Sequence, residues 1–170
     1  MNQLSHSPAA APQPAAPHSR PRRVAIVASA WHRDIVATGT AAMRAELERN
    51  HVAPDRIDLF EVPGAFEIPL HAKRLARCGR YDAIIACGLV VNGGIYRHEF
   101  VASAVIDALM RVQMETDTPV LSAVLTPRDF HEHADHQRFF REHFVKKGTE
   151  AAQACLQTMA SLDALPRDGG

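Results

Sequence analysis

Residues 88–101 read Gly88-Leu89-Val90-Val91-Asn92-Gly93-Gly94-Ile95-Tyr96-Arg97-His98-Glu99-Phe100-Val101, an apolar strand that passes through a Gly-Gly turn straight into a helix. Glycines let the backbone turn tightly with no Cβ in the way, and the helix that follows offers unpaired N–H groups and the positive end of its dipole. The combination is an anion-binding geometry, with Arg97 and His98 in the first helical turn. Standing alone, a Gly-Gly before a helix more often only changes chain direction.

Two further strand-to-helix turns point to the same end of the same sheet. Ser29-Ala30-Trp31-His32 follows the apolar run Val24 to Ala28, and Val62-Pro63-Gly64-Ala65-Phe66-Glu67-Ile68-Pro69 follows Ile57 to Phe60. Outward from these, the patterning predicts strands near 23–29, 56–62, 83–91 and 119–125, helices near 34–50, 66–78 and 98–115, and two more helices closing the chain. Strand–helix alternation implies a parallel sheet covered by helices on both faces. In such sheets ligands bind outside the carboxyl ends of the strands, where all three turns fall.

The chain has 170 residues, 46% of them hydrophobic, and a formal net charge of zero. That is the length of one domain with enough apolar content for a core, and the balanced charge gives no ground for nucleic-acid binding. No apolar run reaches membrane-spanning length and the N-terminus has no signal-peptide core, so a soluble cytoplasmic protein is expected. Cys78, Cys87 and Cys155 are far apart and form no C-x-x-C pair, so they read as reduced thiols buried as small hydrophobes. Residues 1–22, rich in Ala, Pro and Ser, read as a disordered arm, 23–165 as the folded domain and 166–170 as a disordered tail. His131, His133, His136 and His143 crowd one region, and His-x-His with another His three residues on suits zinc or nickel. With no cysteine or compact carboxylate set to complete a ligand sphere, a histidine-rich polar helix without metal is the expectation. Arg138, Arg141, Lys146 and Lys147 make the same region basic, which would attract a phosphorylated ligand.

With the three turns in register, the sequence resembles lumazine synthase, the penultimate enzyme of riboflavin biosynthesis, from Arg23 to Leu165. The motifs that carry the resemblance are Pro63-Gly64-Ala65-Phe66-Glu67-Ile68-Pro69, the Gly93-Gly94 turn, and Lys147-Gly148 ahead of the last helix. It implies an α/β fold, flavodoxin-like, three-layer α/β/α with a four-stranded parallel sheet, assembled as pentamers whose sites lie between subunits. A pentamer or a dimer of pentamers is implied over a capsid, because the connection from Phe139 to Lys147 looks longer than the short turn of capsid formers.

The implied activity is a transferase that needs no cofactor. It condenses 5-amino-6-(D-ribitylamino)uracil with 3,4-dihydroxy-2-butanone 4-phosphate through an imine, loss of phosphate and ring closure, and riboflavin synthase is the implied pathway partner. By position in the motifs, Trp31 would stack on the pyrimidine. Ala65 and Phe66 would add backbone hydrogen bonds and wall, and Glu67 would accept from the ribityl hydroxyls. Leu89, Val90 and Val91 would present backbone groups to the ring edge, Gly94 and Ile95 would seat the phosphate, and Ser122 would line the pocket of a neighbouring subunit. Read singly, Trp31 is a core aromatic and Glu67 a helix-start acid that complements the dipole. Their joint match to one motif set favours the site.

Two positions depart from the family pattern. Arg97 holds the place of the usual proton-transferring histidine, and His136 the place of the usual phosphate-binding arginine. A guanidinium stays protonated at any working pH and cannot shuttle a proton. The expectation is that the two roles are exchanged, Arg97 supplying fixed charge and His136 carrying the proton in one phosphate region. His98 is a weaker rival, because adjacent helical positions lie about 100° apart and cannot share a face. Two other classes of function stay open: a riboflavin or lumazine binder without efficient synthesis, which Arg97 would suit, and an unrelated phosphate or nucleotide binder on the same kind of sheet.

Overall fold

The computed structural model describes residues 21–95, 97–128, 130 and 133–166; most of the expected arm, Tyr96, His131 and the last four residues lie outside these. Four strands, β1 (Val24–Ser29), β2 (Ile57–Val62), β3 (Ala83–Leu89) and β4 (Val120–Leu125), form one parallel sheet in the order β2-β1-β3-β4. This is the flavodoxin-like doubly wound order. The two inner strands are buried along their whole length, which is why Val-Ala-Ile-Val-Ala-Ser and Ala-Ile-Ile-Ala-Cys-Gly-Leu show no polar alternation.

The helices divide between the faces. On one side α1 (Arg33–Arg49) and α4 (Ala134–Asp163) pack over Ile26, Ile85 and Cys87; on the other, α2 (Ile68–Arg77) and α3 (His98–Thr116) pack over Val27, Ile84 and Ala86. Alternate side chains of the same strands thus feed two cores, as the two-residue period of a strand requires. At the opposite end of the sheet from the three turns, Asp58 accepts hydrogen bonds from Tyr81 Oη at 2.8 Å and Arg23 Nη1 at 2.6 Å. Arg22 pairs with Asp163 at the far end of α4.

The two closing helices expected from the sequence are one continuous helix of 30 residues. Lys147-Gly148 does not precede it but lies within it, and the supposed connection from Phe139 to Lys147 is helical. Residues 134–163 contain no proline and a single glycine, so nothing local stops the helix. Gly148 serves packing instead: a Cβ there would sit 2.3 Å from the carbonyl oxygen of Gly39 on α1. The cysteine expectation also needs correction. Cys87 and Cys155 are buried, with burial pushing each thiol up to about 12, but Cys78 is exposed at the end of α2.

Candidate active site

In parallel strands held in register, Ser29 lies beside Val62, Ala28 beside Cys87 and Leu89 beside Leu125. All four carboxyl ends therefore meet at one rim. A cavity of about 670 Å³ opens there, lined by Trp31 and His32 after β1, Gly64 to Glu67 after β2, Leu89 to Gly93 after β3, and Arg97, His98 and Val101 at the start of α3, with Phe130 beyond β4. The wall is mostly apolar, with a few polar groups at its edge, the usual make-up of a small-molecule pocket.

The first wall follows β1. Ala30 N–H donates to the carbonyl of Val62 at 2.8 Å, which ties the first two turns together. His32 then caps α1 with φ 52° and ψ 43°, a left-handed conformation rare outside glycine. Its carbonyl accepts from the N–H groups of Ile35 and Val36, and its ring meets that of Phe130 edge-on at 5.1 Å. Trp31 projects outward and is 70% exposed, so it is no core aromatic.

The second wall is a single 3-10 turn, Ala65–Glu67, leading into α2. Glu67 folds back so that Oε2 accepts from the Gly64 N–H at 2.9 Å. The helix-start role and a place on the pocket wall thus coexist in one side chain, because a carboxylate has lone pairs left after one backbone bond. Phe66 beside it is 63% exposed.

The third wall is the glycine turn. Val90 N–H still donates to Leu125 O at 2.9 Å, after which the chain leaves the sheet. Gly94 adopts φ +78° and its N–H donates to Asn92 Oδ1 at 2.8 Å. The side-chain oxygen of Asn92 thus holds one N–H of the turn in an Asx-type bond. Ile95 lies beyond, 84% exposed, at the mouth.

Arg97 is extended, not helical, with φ −78° and ψ 92°, and α3 begins at His98. This removes the premise that separated the two residues. With only His98 on the helix, the 100° offset does not apply, and both side chains line the pocket. The Arg97 guanidinium stacks on the Phe100 ring at 4.5 Å. His98 is enclosed, its side chain 16% exposed, and Nδ1 lies 3.5 Å from Glu99 Oε2.

Of the expected site residues, the cavity gathers Trp31, Ala65, Phe66, Glu67, Leu89, Val90, Val91 and Arg97, with Gly94 and Ile95 on the adjoining turn. Ser122 and His136 do not line it. Ser122 is exposed on the edge strand β4. His136 sits in the first turn of α4, its ring 6.3 Å from that of Phe140, which in turn lies 5.2 Å from Phe130. Arg97 and His136 are therefore not brought together within one chain. The pocket residues not anticipated from sequence are His32, Asn92, Val101 and Phe130. His32 and Asn92 sat inside turns already singled out, whereas Phe130 comes from a connection with no motif.

The basic character expected of α4 is largely spent on acids. Arg138 pairs with Asp135 at 2.8 Å, Lys147 with Glu150 at 2.7 Å, and Arg141 with Asp34. The Arg141 hydrogen bond holds the Asp34 carboxyl below its ordinary value against the opposing effect of burial. Among the described residues no group of three His, Cys, Asp or Glu side chains could hold a metal ion, and no helix is long and apolar enough to cross a membrane.

Fold and pocket together define a flavodoxin-like α/β protein with a cavity of small-molecule size across three strand-to-helix turns at the carboxyl rim of its sheet. The 6,7-dimethyl-8-ribityllumazine synthase family profile matches residues 21–163, and the chain belongs to that family. It is 59% identical over 145 residues to 6,7-dimethyl-8-ribityllumazine synthase of Rhodococcus erythropolis, spanning 85% of this chain and 94% of that one. It is 56% identical over 155 residues to 6,7-dimethyl-8-ribityllumazine synthase 2 of Bradyrhizobium diazoefficiens, spanning 89% and 93%. A third relative, 6,7-dimethyl-8-ribityllumazine synthase 2 of Pseudomonas syringae pv. tomato, is 53% identical with 85% of each chain covered.

Proposed function

We infer that this protein is a transferase of riboflavin biosynthesis that condenses 5-amino-6-(D-ribitylamino)uracil with 3,4-dihydroxy-2-butanone 4-phosphate to give 6,7-dimethyl-8-ribityllumazine, phosphate and water. The observation that carries this is the single cavity on which Trp31, Ala65 to Glu67, Leu89 to Val91 and Arg97 converge. Trp31 offers a flat apolar face to the pyrimidine. Glu67, with lone pairs to spare, receives the ribityl hydroxyls, while the backbone at Leu89, Val90 and Val91 reads the ring edge. The phosphate takes its place at Gly94 and Ile95, near the N-terminus of α3, with Arg97 as fixed positive charge. Holding the two reactants side by side supplies much of the acceleration, since it replaces a bimolecular encounter by an intramolecular one.

The protein is a homo-oligomer in this reading, as a pentamer or a dimer of pentamers. The surface supports assembly: Ile106, Met110 and Met114 recur at four-residue spacing as an exposed apolar stripe on α3, too extensive for a face left in water. Ser122 is lent to a neighbouring chain's pocket, and His136 is carried as a candidate for the same surroundings. Cytoplasmic location and riboflavin synthase as the next enzyme belong to the same reading.

The test is the initial rate of lumazine formation from the two substrates, followed by absorbance against the same mixture without protein. Clear acceleration at substoichiometric protein is expected. A rate equal to background from folded, oligomeric protein would refute the synthase reading.

A further inference from the structure

We propose that His98, steadied by Glu99, is the proton carrier of this pocket, the part that Arg97 cannot play and that the sequence suggested for His136. The inference rests on the synthase reading. It starts from what the reaction demands near the phosphate. In the imine formed from the four-carbon phosphate, carbon 3 bears the proton that must leave and carbon 4 bears the phosphate. One carbon–carbon bond separates them, so the base must stand beside the phosphate seat.

Among the described side chains lining the cavity, only His32 and His98 are imidazoles, the type that exchanges protons between pH 5 and 8. Position decides between them. His32 closes the turn after β1, beside Trp31 and against the Phe130 ring. His98 opens α3 four residues after Gly94, directly behind the glycine turn. Its enclosed ring faces Glu99 through Nδ1 at 3.5 Å, which leaves Nε2 as the nitrogen for the pocket. A carboxylate at one imidazole nitrogen orients the ring and supports the cation formed when the other takes a proton. Among the described residues, the other charged side chains on the cavity are Arg97 on the same segment and Glu67 on the 3-10 turn, the latter holding the Gly64 N–H. Lys73 on α2 is occupied at the far end of α3 by Glu115, and β4 contributes no titratable side chain.

Neutral His98 takes the proton from carbon 3, the C–H pair becomes the C3=C4 double bond, and the C4–O bond breaks with phosphate keeping its pair. The imidazolium then returns its proton to carbon 4 of the resulting enol. The enol hydroxyl proton passes to phosphate, which leaves as the hydrogen phosphate dianion, and a methyl ketone remains for ring closure. His98 ends neutral, and no oxidant or metal is required.

The experiment is the pH profile of lumazine formation, from pH 5.5 to 8.5, for the wild type, His98→Asn, Glu99→Gln and His136→Asn, each checked for oligomeric state and thermal unfolding. Wild-type activity is measured first; its absence would overturn the synthase reading and this inference with it. Given an active wild type, His98→Asn is expected to lose about 100-fold in kcat, the lower end for a lost acid–base group, with KM for both substrates little changed and the acid limb flattened. Glu99→Gln, which removes the charge that steadies the ring, is expected to cost a smaller part of kcat, and added imidazole to restore part of the rate to His98→Gly. His98→Gln carries the same test if the asparagine variant unfolds. A folded His98 variant with wild-type kcat and pH profile would overturn the inference alone, as would loss of the acid limb in His136→Asn and not in His98→Asn.

Discussion

Replacing Gly148 by alanine pits two opposed effects of known size against each other. Within the 30-residue α4, alanine is the better helix former by about 1 kcal/mol. Against this, the added Cβ would lie 2.3 Å from Gly39 O, 3.0 Å from Gly39 C and 3.1 Å from Gly39 Cα. Comfortable contact needs roughly 3.5 Å, so α1 and α4 must separate by about 1 Å. Every obstructing atom is backbone, and no rotamer change relieves it. Overpacking of this kind costs about 3 kcal/mol at the upper end of its usual range, leaving a net loss near 2 kcal/mol and a Tm about 4–8 °C lower for a domain of this size. Gly39→Ala is the comparison: its Cβ meets first the Phe144 ring, at 2.8 Å, and the nearest backbone atom only at 3.4 Å. A smaller loss is expected there, because a side-chain ring moves at less cost than a helix axis. Thermal and chemical unfolding of both variants at fixed protein concentration measure the difference. If Gly148→Ala matched or exceeded wild-type stability, the close α1–α4 crossing would be refuted.

Stability should fall at both pH extremes through one pair. Burial raises the Asp58 carboxyl, but the Tyr81 and Arg23 hydrogen bonds outweigh it and leave it below its ordinary 3.8, so its contribution is present above that pH and is lost as pH falls below it. Burial and then the Asp58 hydrogen bond push the Tyr81 hydroxyl up to about 12, so its contribution is complete below pH 10 and lost between 10 and 12. Tyr81→Phe should cost roughly 1.5 kcal/mol at neutral pH and flatten the alkaline fall; an unchanged urea midpoint would count against the pair. One thiol per chain, Cys78, should react quickly with a disulfide reagent at pH 8 and all three in guanidinium, since burial protects Cys87 and Cys155; a second fast thiol would contradict that burial. Arg97→Ala should raise KM for the phosphorylated substrate about tenfold, as the loss of one charge-assisted contact would, with a smaller change in kcat. A fall in kcat alone would place Arg97 in the chemistry instead.

The fold was legible where local pattern and tertiary role coincide. β1 and β3 read as unbroken apolar runs because a doubly covered sheet leaves them no polar face, and the third turn carries Gly94 where the backbone takes a positive φ. Legibility failed at Gly148, for a physical reason. A glycine that ends a helix and one that admits a neighbouring helix look alike along the chain, and what distinguishes them is Gly39, more than a hundred residues away. Cys78 failed for the converse reason: its burial depended on whether the last turn of α2 faces the sheet, and the periodicity of ten residues does not fix that at the helix end.

At the site, residues within the three turns were readable because their position follows from strand order alone. Residues whose place depends on a backbone angle were not. The sequence pattern puts Arg97 and His98 side by side on one helix, a geometry that disfavours His98. An extended Arg97 moves the helix start by one residue and puts both side chains on the cavity. Helix boundaries read from sequence shift by a residue or two, and at most positions such a shift changes nothing. Here it places an imidazole directly beside the fixed charge of Arg97 at the glycine turn. With His98 as proton carrier, an arginine at position 97 leaves the pocket its imidazole one residue on, at the start of α3.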